Sequence, residues 1–530
     1  MAGVSQTPLN LDLEIEEHGR LKKSIGISAA VFFILGNVIG IGIFLTPKGV
    51  AVQAENPYLF LGLWLFGGLI ALAGAMSSAE LGIMMPHAGG DYIFLRKTYG
   101  MASAFLYGYL SLAFSYTGSI AAMATGVIQY QGQTIAAGLG MDGALTQVLL
   151  TIPFPSIEYT LEVRHILAIL IVLALTLLNW FGVSRSIVLQ KLVTIGPAVI
   201  LIGLGLIIFF QTLFGETEGA ILAANLNYRS PADLPSFGRL AAAMIPIFFT
   251  YAGWNVTLYL AEDIKNPEKV IPISMIVSLG LITLVYTLFC FVLLARIPFA
   301  DLISPNIGDP ASIAWGSVIG SWAAWVMGFF NNGVTPPADV MQLITSMVIS
   351  IVIALLILGG LNTSILSGSR VYLAMARDGI FFSQARRLHD RFHTPTWSLW
   401  VQGVWACALI LIFRDFDTIL AIATIIMVFL SIMTISCVFI LRFRMGEAHE
   451  IRQKKDRMIY RALGYPYFPA LYIISTLFIL IGTISNDLSE AEDFWSSTTF
   501  VAVVVTVIGY VTFLLWKRLR RNGKAKENAQ

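Results

Sequence analysis

Twelve mostly apolar stretches, each near the roughly 20 residues that a helix needs to cross a bilayer, run through this 530-residue chain. They fall at about residues 27–54, 59–85, 101–130, 164–182, 187–213, 237–263, 271–295, 340–369, 397–413, 418–441, 467–485 and 498–516. In hydrocarbon no water satisfies a peptide N–H or C=O, so a spanning segment must close its own hydrogen bonds as a helix. The expected fold class is an all-α integral membrane protein with 12 transmembrane helices. Composition agrees: 57% of the residues are hydrophobic and 12% are charged, against about 25% charged in soluble domains.

With twelve crossings the connecting segments alternate sides, and lysine and arginine concentrate on the cytoplasmic one. All but six of the 33 basic residues lie in the N-tail, the even-numbered connections and the C-tail. The exceptions are Lys48, Arg164, Arg229, Arg239, Arg296 and Arg414. Both termini are expected in the cytoplasm of a multi-pass protein of the cell (plasma) membrane. Ser312 to Phe329 is apolar enough to pass for a thirteenth span. A crossing there would turn the basic segments 370–391 and 442–461 outward, so it reads as an external amphipathic helix lying on the bundle. The Pro336-Pro337 pair beyond it suits a surface connection.

Net charge is +2, too small and too dispersed for a nucleic-acid partner. Residues 1–23 read as a polar N-tail without a cleaved signal peptide. Cys290, Cys407 and Cys437 each lie in an apolar run and behave as small hydrophobes. No cysteine lies in an extracellular segment, which disfavours a disulfide-linked partner subunit. His389 and His393 have helical spacing but no third ligand, so they read as a solvated loop and not as a metal site. No cofactor is expected.

The chemistry lies in two interruptions. The first span reads Leu35-Gly36-Asn37-Val38-Ile39-Gly40-Ile41-Gly42-Ile43-Phe44, with three glycines at mid-membrane depth, where a helix is prone to unwind. A break leaves donors at the start of the outer half and acceptors at the end of the inner half, which are costly in hydrocarbon unless a ligand or polar cavity completes them. A zwitterionic amino acid can complete both. Its carboxylate would sit on the N–H groups of Gly42 and Ile43 and its ammonium on the carbonyls of Val38 and Ile39. The plainer alternative is a glycine packing face. The sixth span, Phe248-Phe249-Thr250-Tyr251-Ala252-Gly253-Trp254-Asn255, repeats the interruption five helices later. Corresponding broken helices in two halves point to an inverted-repeat transporter with its site at the midplane.

These segments resemble the amino acid, polyamine and organocation superfamily. The first span is similar to its Gly-Ser-Gly-Ile-Phe element. Ala79 to Pro86 with Gly89-Gly90-Asp91-Tyr92 looks like its connection between the second and third spans. Phe249 to Trp254, followed by Ala261 to Pro267 and Pro272, resembles the sixth span of its L-type exchanger branch. Gly360 to Ser364, Ser369-Arg370 and Ala376 to Gly379 match its eighth. The resemblance covers roughly 24–445 and implies a LeuT-like fold with a 5+5 inverted repeat, discontinuous helices 1 and 6 and alternating access. The implied organisation is an N-tail at 1–23, a ten-helix core at 24–445 with repeats of about 24–213 and 237–441, two further helices at 446–516 and a basic C-tail at 517–530. By position, Gly40, Ile41, Gly42 and Ile43 would hold the carboxylate. Phe249, Thr250 and Tyr251 would meet the amine or gate the pocket, with Phe249 the aromatic lid, and Ala252 and Trp254 would border the side chain. Ile41 replaces the family's usual serine, leaving backbone donors alone. Pro197 falls where many members carry a lysine thought to stand in for sodium, and Lys191 lies six residues too early.

No Asp, Glu, Lys or Arg lies in the middle of spans one, three, six, eight or ten, and an unpaired buried charge is expensive. The expected substrate is a small neutral amino acid, moved by exchange or facilitated transport, and membrane lipid is a further expected partner. Thr363, Ser364 and Ser367 are weak candidates for a cation site, against hydroxyls that bond back to their own helix. The runner-up is a cation-coupled symporter of a polyamine, nucleobase or chloride in the same fold. An enzyme would need a constellation of reactive side chains that the spans lack, and a channel would need a continuous polar lining. Glu80, near a span end, reads as a structural tie to the cytoplasmic loops, and Glu262 and Asp263 with Lys265 as a helix-end ion network.

Overall fold

The computed structural model describes residues 25–527 apart from 41, 86–89, 154–157, 229–234, 260, 262–263, 305–306, 308, 331–336, 393, 456–463, 491–494 and 496. Ile41, Glu262, Asp263 and His393, singled out above, lie outside the described residues. Among the described residues eleven helices are long and apolar enough to cross a membrane. The span expected at 237–263 is instead a shorter apolar helix, Phe237–Tyr251, followed after a turn by Val256–Tyr259. The first span is divided into Ile27–Val38, Gly42–Leu45 and Pro47–Ala54.

Elsewhere apolar length and local capping set the helix limits. The second span, Pro57–Met84, starts where the Asn56 side chain accepts hydrogen bonds from the Tyr58 and Leu59 amides at 2.9 and 3.1 Å, with Pro57 in the first turn. The eighth, Ala338–Arg377, outruns its apolar stretch because Val371, Tyr372, Met375 and Ala376 still have a packed face to bury. The helix expected at Ser312–Phe329 is present as Pro310–Phe330. Its Trp315 ring stacks on Phe289 with centroids 4.4 Å apart and donates from Nε1 to the Leu201 carbonyl at 2.9 Å.

The all-helical expectation misses one element. Val148–Pro153 and Glu158–Glu162 form an antiparallel hairpin between the third and fourth spans. Its strands are rich in β-branched and aromatic residues, but runs of six and five residues are too short to show a period that tells strand from helix.

Glu80 is the tie that its position implied. Its carboxylate accepts from Arg442 Nε and Nη2, each at 2.7 Å, and the same guanidinium lies 3.7 Å over the Tyr465 ring. The bidentate pair joins the second span to the cytoplasmic end expected for the tenth. Glu80→Gln keeps the shape and loses the charge. It should lower stability in detergent by about 1–2 kcal/mol, and combining it with Arg442→Ala should cost less than the sum of the two. Additive thermal shifts would show that the pair is not coupled.

Candidate functional site

The first helix leaves α geometry at Ile39, where ψ is 84°, and the Gly40 amide turns back to donate to the Val38 carbonyl at 2.8 Å. Across from it the sixth span ends at Tyr251. Ala252 is extended, with ψ 155°, and Gly253 has a φ of +104°, which is strained for any residue with a Cβ.

The two breaks are in direct contact. A Cβ on Gly42 would come within 2.6 Å of the Thr250 Cα, so only glycine permits this approach. Asn37 Nδ2 donates to the Gly253 carbonyl at 2.7 Å, and the hydroxyls of Thr46 and Thr250 are 3.1 Å apart. Tyr286, from the seventh span, places its hydroxyl 2.7 Å from the Val38 carbonyl and 3.2 Å from that of Thr250. One phenol therefore serves both interrupted helices.

Between the breaks lies a cavity of about 180 Å³, below the roughly 300–1,000 Å³ of sites for drug-sized ligands, so its occupant is small. Val38, Gly40, Gly42 and the run Phe249-Thr250-Tyr251-Ala252-Gly253-Trp254 all line it. Ile39 and Ile43 do not. They border a separate apolar void beside Phe44, Phe289 and Trp315. Two hydroxyls expected to face a ligand already have protein partners: Thr250 Oγ1 donates to the Pro246 carbonyl at 2.7 Å and Tyr251 Oη to the Trp64 carbonyl at 3.0 Å. Of the cation candidates, Ser364 and Ser367 line the cavity, while Thr363 bonds back to the Gly359 carbonyl of its own helix at 3.2 Å.

The expectation that no charged side chain reaches this space is corrected by Asp91, which lines it. Asp91 opens the short helix Asp91–Tyr99 after Gly90, whose φ of +48° is in the left-handed region. Its Oδ2 accepts from Asn255 Nδ2 at 3.0 Å, Tyr259 Oη at 3.1 Å and Tyr107 Oη at 3.3 Å. Burial pushes the carboxyl above the usual carboxylate range, against those three hydrogen bonds. An aspartate just after Gly-Gly at a helix start looks like ordinary capping, so only the long-range fold reveals its place. No group of three or more His, Cys, Asp or Glu among the described residues is arranged to hold a metal ion.

Comparison with known proteins shows the family of the chain. The family model described as amino acid permease matches residues 29–530. The serine/threonine exchanger SteT of Bacillus subtilis (strain 168) is 29% identical over 477 residues, covering 90% of this chain and 94% of that protein. The Asc-type amino acid transporter 1 of Homo sapiens is 27% identical over 468 residues, 88% of this chain and 78% of the relative. The large neutral amino acids transporter small subunit 2 of Homo sapiens is 26% identical over 469 residues, 87% and 76% respectively.

Proposed function

The chain belongs to the amino acid permease family, in the L-type branch of the amino acid, polyamine and organocation superfamily, and from that premise we propose that it exchanges small neutral amino acids by alternating access. That it is a multi-pass membrane transporter of amino acids with a LeuT-class fold follows from the family itself. The finer reading rests on one observation: two interrupted helices meet across a cavity of about 180 Å³. The substrate carboxylate takes the amide of Gly42, on the cavity wall, with that of Ile43 next in the chain behind it, at the start of a half-helix where N–H groups lack partners in their own helix. The ammonium takes the carbonyl at Val38, on the cavity wall, with that of Ile39 next in the chain behind it, and displaces one of the two donors, Gly40 and Tyr286, that the Val38 oxygen receives in its absence. Phe249 closes over the pocket, and Ala252 and Trp254 border the side chain.

Neutral side chains fit the lining because Asp91, its one carboxylate among the described residues, is already engaged by three donors. The relatives named for serine, threonine and neutral amino acids support the same class. The membrane is the plasma membrane, and the distribution of lysine and arginine supports both termini being cytoplasmic. Two five-helix repeats, about 24–213 and 237–441, would form the core, with 446–516 added outside it.

In proteoliposomes loaded with serine, uptake of alanine, serine, threonine or leucine should exceed that of arginine or glutamate at least tenfold, the cost of burying an unmatched charge. It should need no sodium gradient. Arginine or glutamate carried as well as alanine would overturn the substrate class. Uptake into empty vesicles that requires sodium would favour the symport reading, which Ser364 and Ser367 on the cavity wall support.

A further inference from the structure

Asp91 carries more than its place on the cavity wall. Its three hydrogen bonds come from two other parts of the bundle: Tyr107 on the third span, and Asn255 and Tyr259 on the segment that resumes after the break in the sixth. Tyr107 and Tyr259 also bond one another, with hydroxyls 3.0 Å apart. The fit is close, since a Cβ on Gly90 would lie 2.5 Å from the Tyr259 ring. Asp91 is buried, and the structure gives it no basic partner among the described residues. A buried carboxylate held only by neutral donors makes a contact that is strong when closed and costs little to hydrate when opened.

We propose that Asp91, held by Tyr107, Asn255 and Tyr259, is a latch that closes the substrate cavity at the end nearest the connection between the second and third spans. The elements it joins are those that must separate for a solute to leave there. A second tie lies close in sequence, where the Lys265 amide donates to the Ile25 carbonyl at 2.9 Å, joining the residues just before the first helix to the stretch beyond the resumed segment. In the orientation proposed above this end faces the cytoplasm. The inference rests on that reading for its sidedness and on the exchange function for its consequence. Asp91 is a positioning residue: it sets which side the cavity opens to, and the broken-helix backbone binds the substrate.

The test uses the full chain in sealed vesicles of known orientation with a reporter, Thr434→Cys, on the cavity wall. Labelling by a membrane-impermeant thiol reagent is followed from each face against the parent, whose three cysteines are buried. Asp91→Ala should raise labelling from the face bearing the tails about tenfold, as expected for loss of buried hydrogen bonds. It should slow serine exchange by a similar factor and shift the serine Kd by less than about threefold. Asn255→Ala and Tyr259→Phe break the latch from its other side and should move labelling in the same direction, so a misfolded Asp91 variant leaves the proposal exposed. Unchanged labelling in all three variants would overturn it. So would a Kd that weakens as much as exchange slows, because Asp91 would then bind substrate. The labelling arm needs no substrate, so failure of the amino acid reading would not be mistaken for failure of the latch.

Discussion

Gly42→Ala is expected to reduce exchange roughly a hundredfold while the protein still inserts and elutes as a single species in detergent. The added methyl would lie 2.6 Å from both the Cα and the Cβ of Thr250. No rotamer of Thr250 relieves a contact with its own backbone, so the two half-helices must move apart. Overpacking of this kind costs about 1–3 kcal/mol, up to about a hundredfold in a rate. The strain falls where the cavity is shaped, on the Thr46–Thr250 contact and the amides that begin the outer half-helix. Gly49→Ala is the control. Nothing lies within 4 Å of its added Cβ, and alanine inside the helix Pro47–Ala54 should be neutral or slightly stabilising. Counterflow of serine with size-exclusion profiles of both variants decides the matter. Equal activity of the two would mean that the close approach at Gly42 is not part of the transport cycle.

Residues whose role is local were legible in the sequence. The limits of the second span follow from Asn56, Pro57 and an apolar run, and they are observed within two residues of expectation. The breaks at Gly40 to Gly42 and at Gly253 were readable because glycine marks unwound backbone whatever surrounds it. Glu80 was readable because a carboxylate near a span end needs a partner, though nothing in its neighbourhood names Arg442, 362 positions away. Asp91 and Asn37 were not legible. Each looks like a capping or helix residue until the fold brings it to Asn255 or Gly253, more than 160 positions along the chain. The hairpin at 148–162 was missed for a different reason: it lies between spans, where membrane constraints no longer apply.

Tyr286 is the case in which this limit matters most for function. It is one of 18 tyrosines, it sits in an uninterrupted apolar helix, and no spacing rule separates it from a packing residue. The structure gives it the Val38 and Thr250 carbonyls, the acceptors at the two breaks. Its ring meets Tyr251 and Trp64 edge-on, with centroids at 5.0 and 5.9 Å. Tyr286→Phe preserves that packing and removes only the hydroxyl. A buried acceptor that loses its donor costs about 1–3 kcal/mol, and Val38 keeps the Gly40 amide. A cost near 2 kcal/mol corresponds to a loss of roughly thirtyfold in exchange, with lower thermal stability and a weaker serine Kd. The sign of the Kd change carries the argument. If the hydroxyl holds the broken helix in shape, its removal weakens binding. If it instead occupies the oxygen that the substrate ammonium needs, Tyr286→Phe will bind serine more tightly than the parent, and the phenol would then be a competitor that substrate displaces.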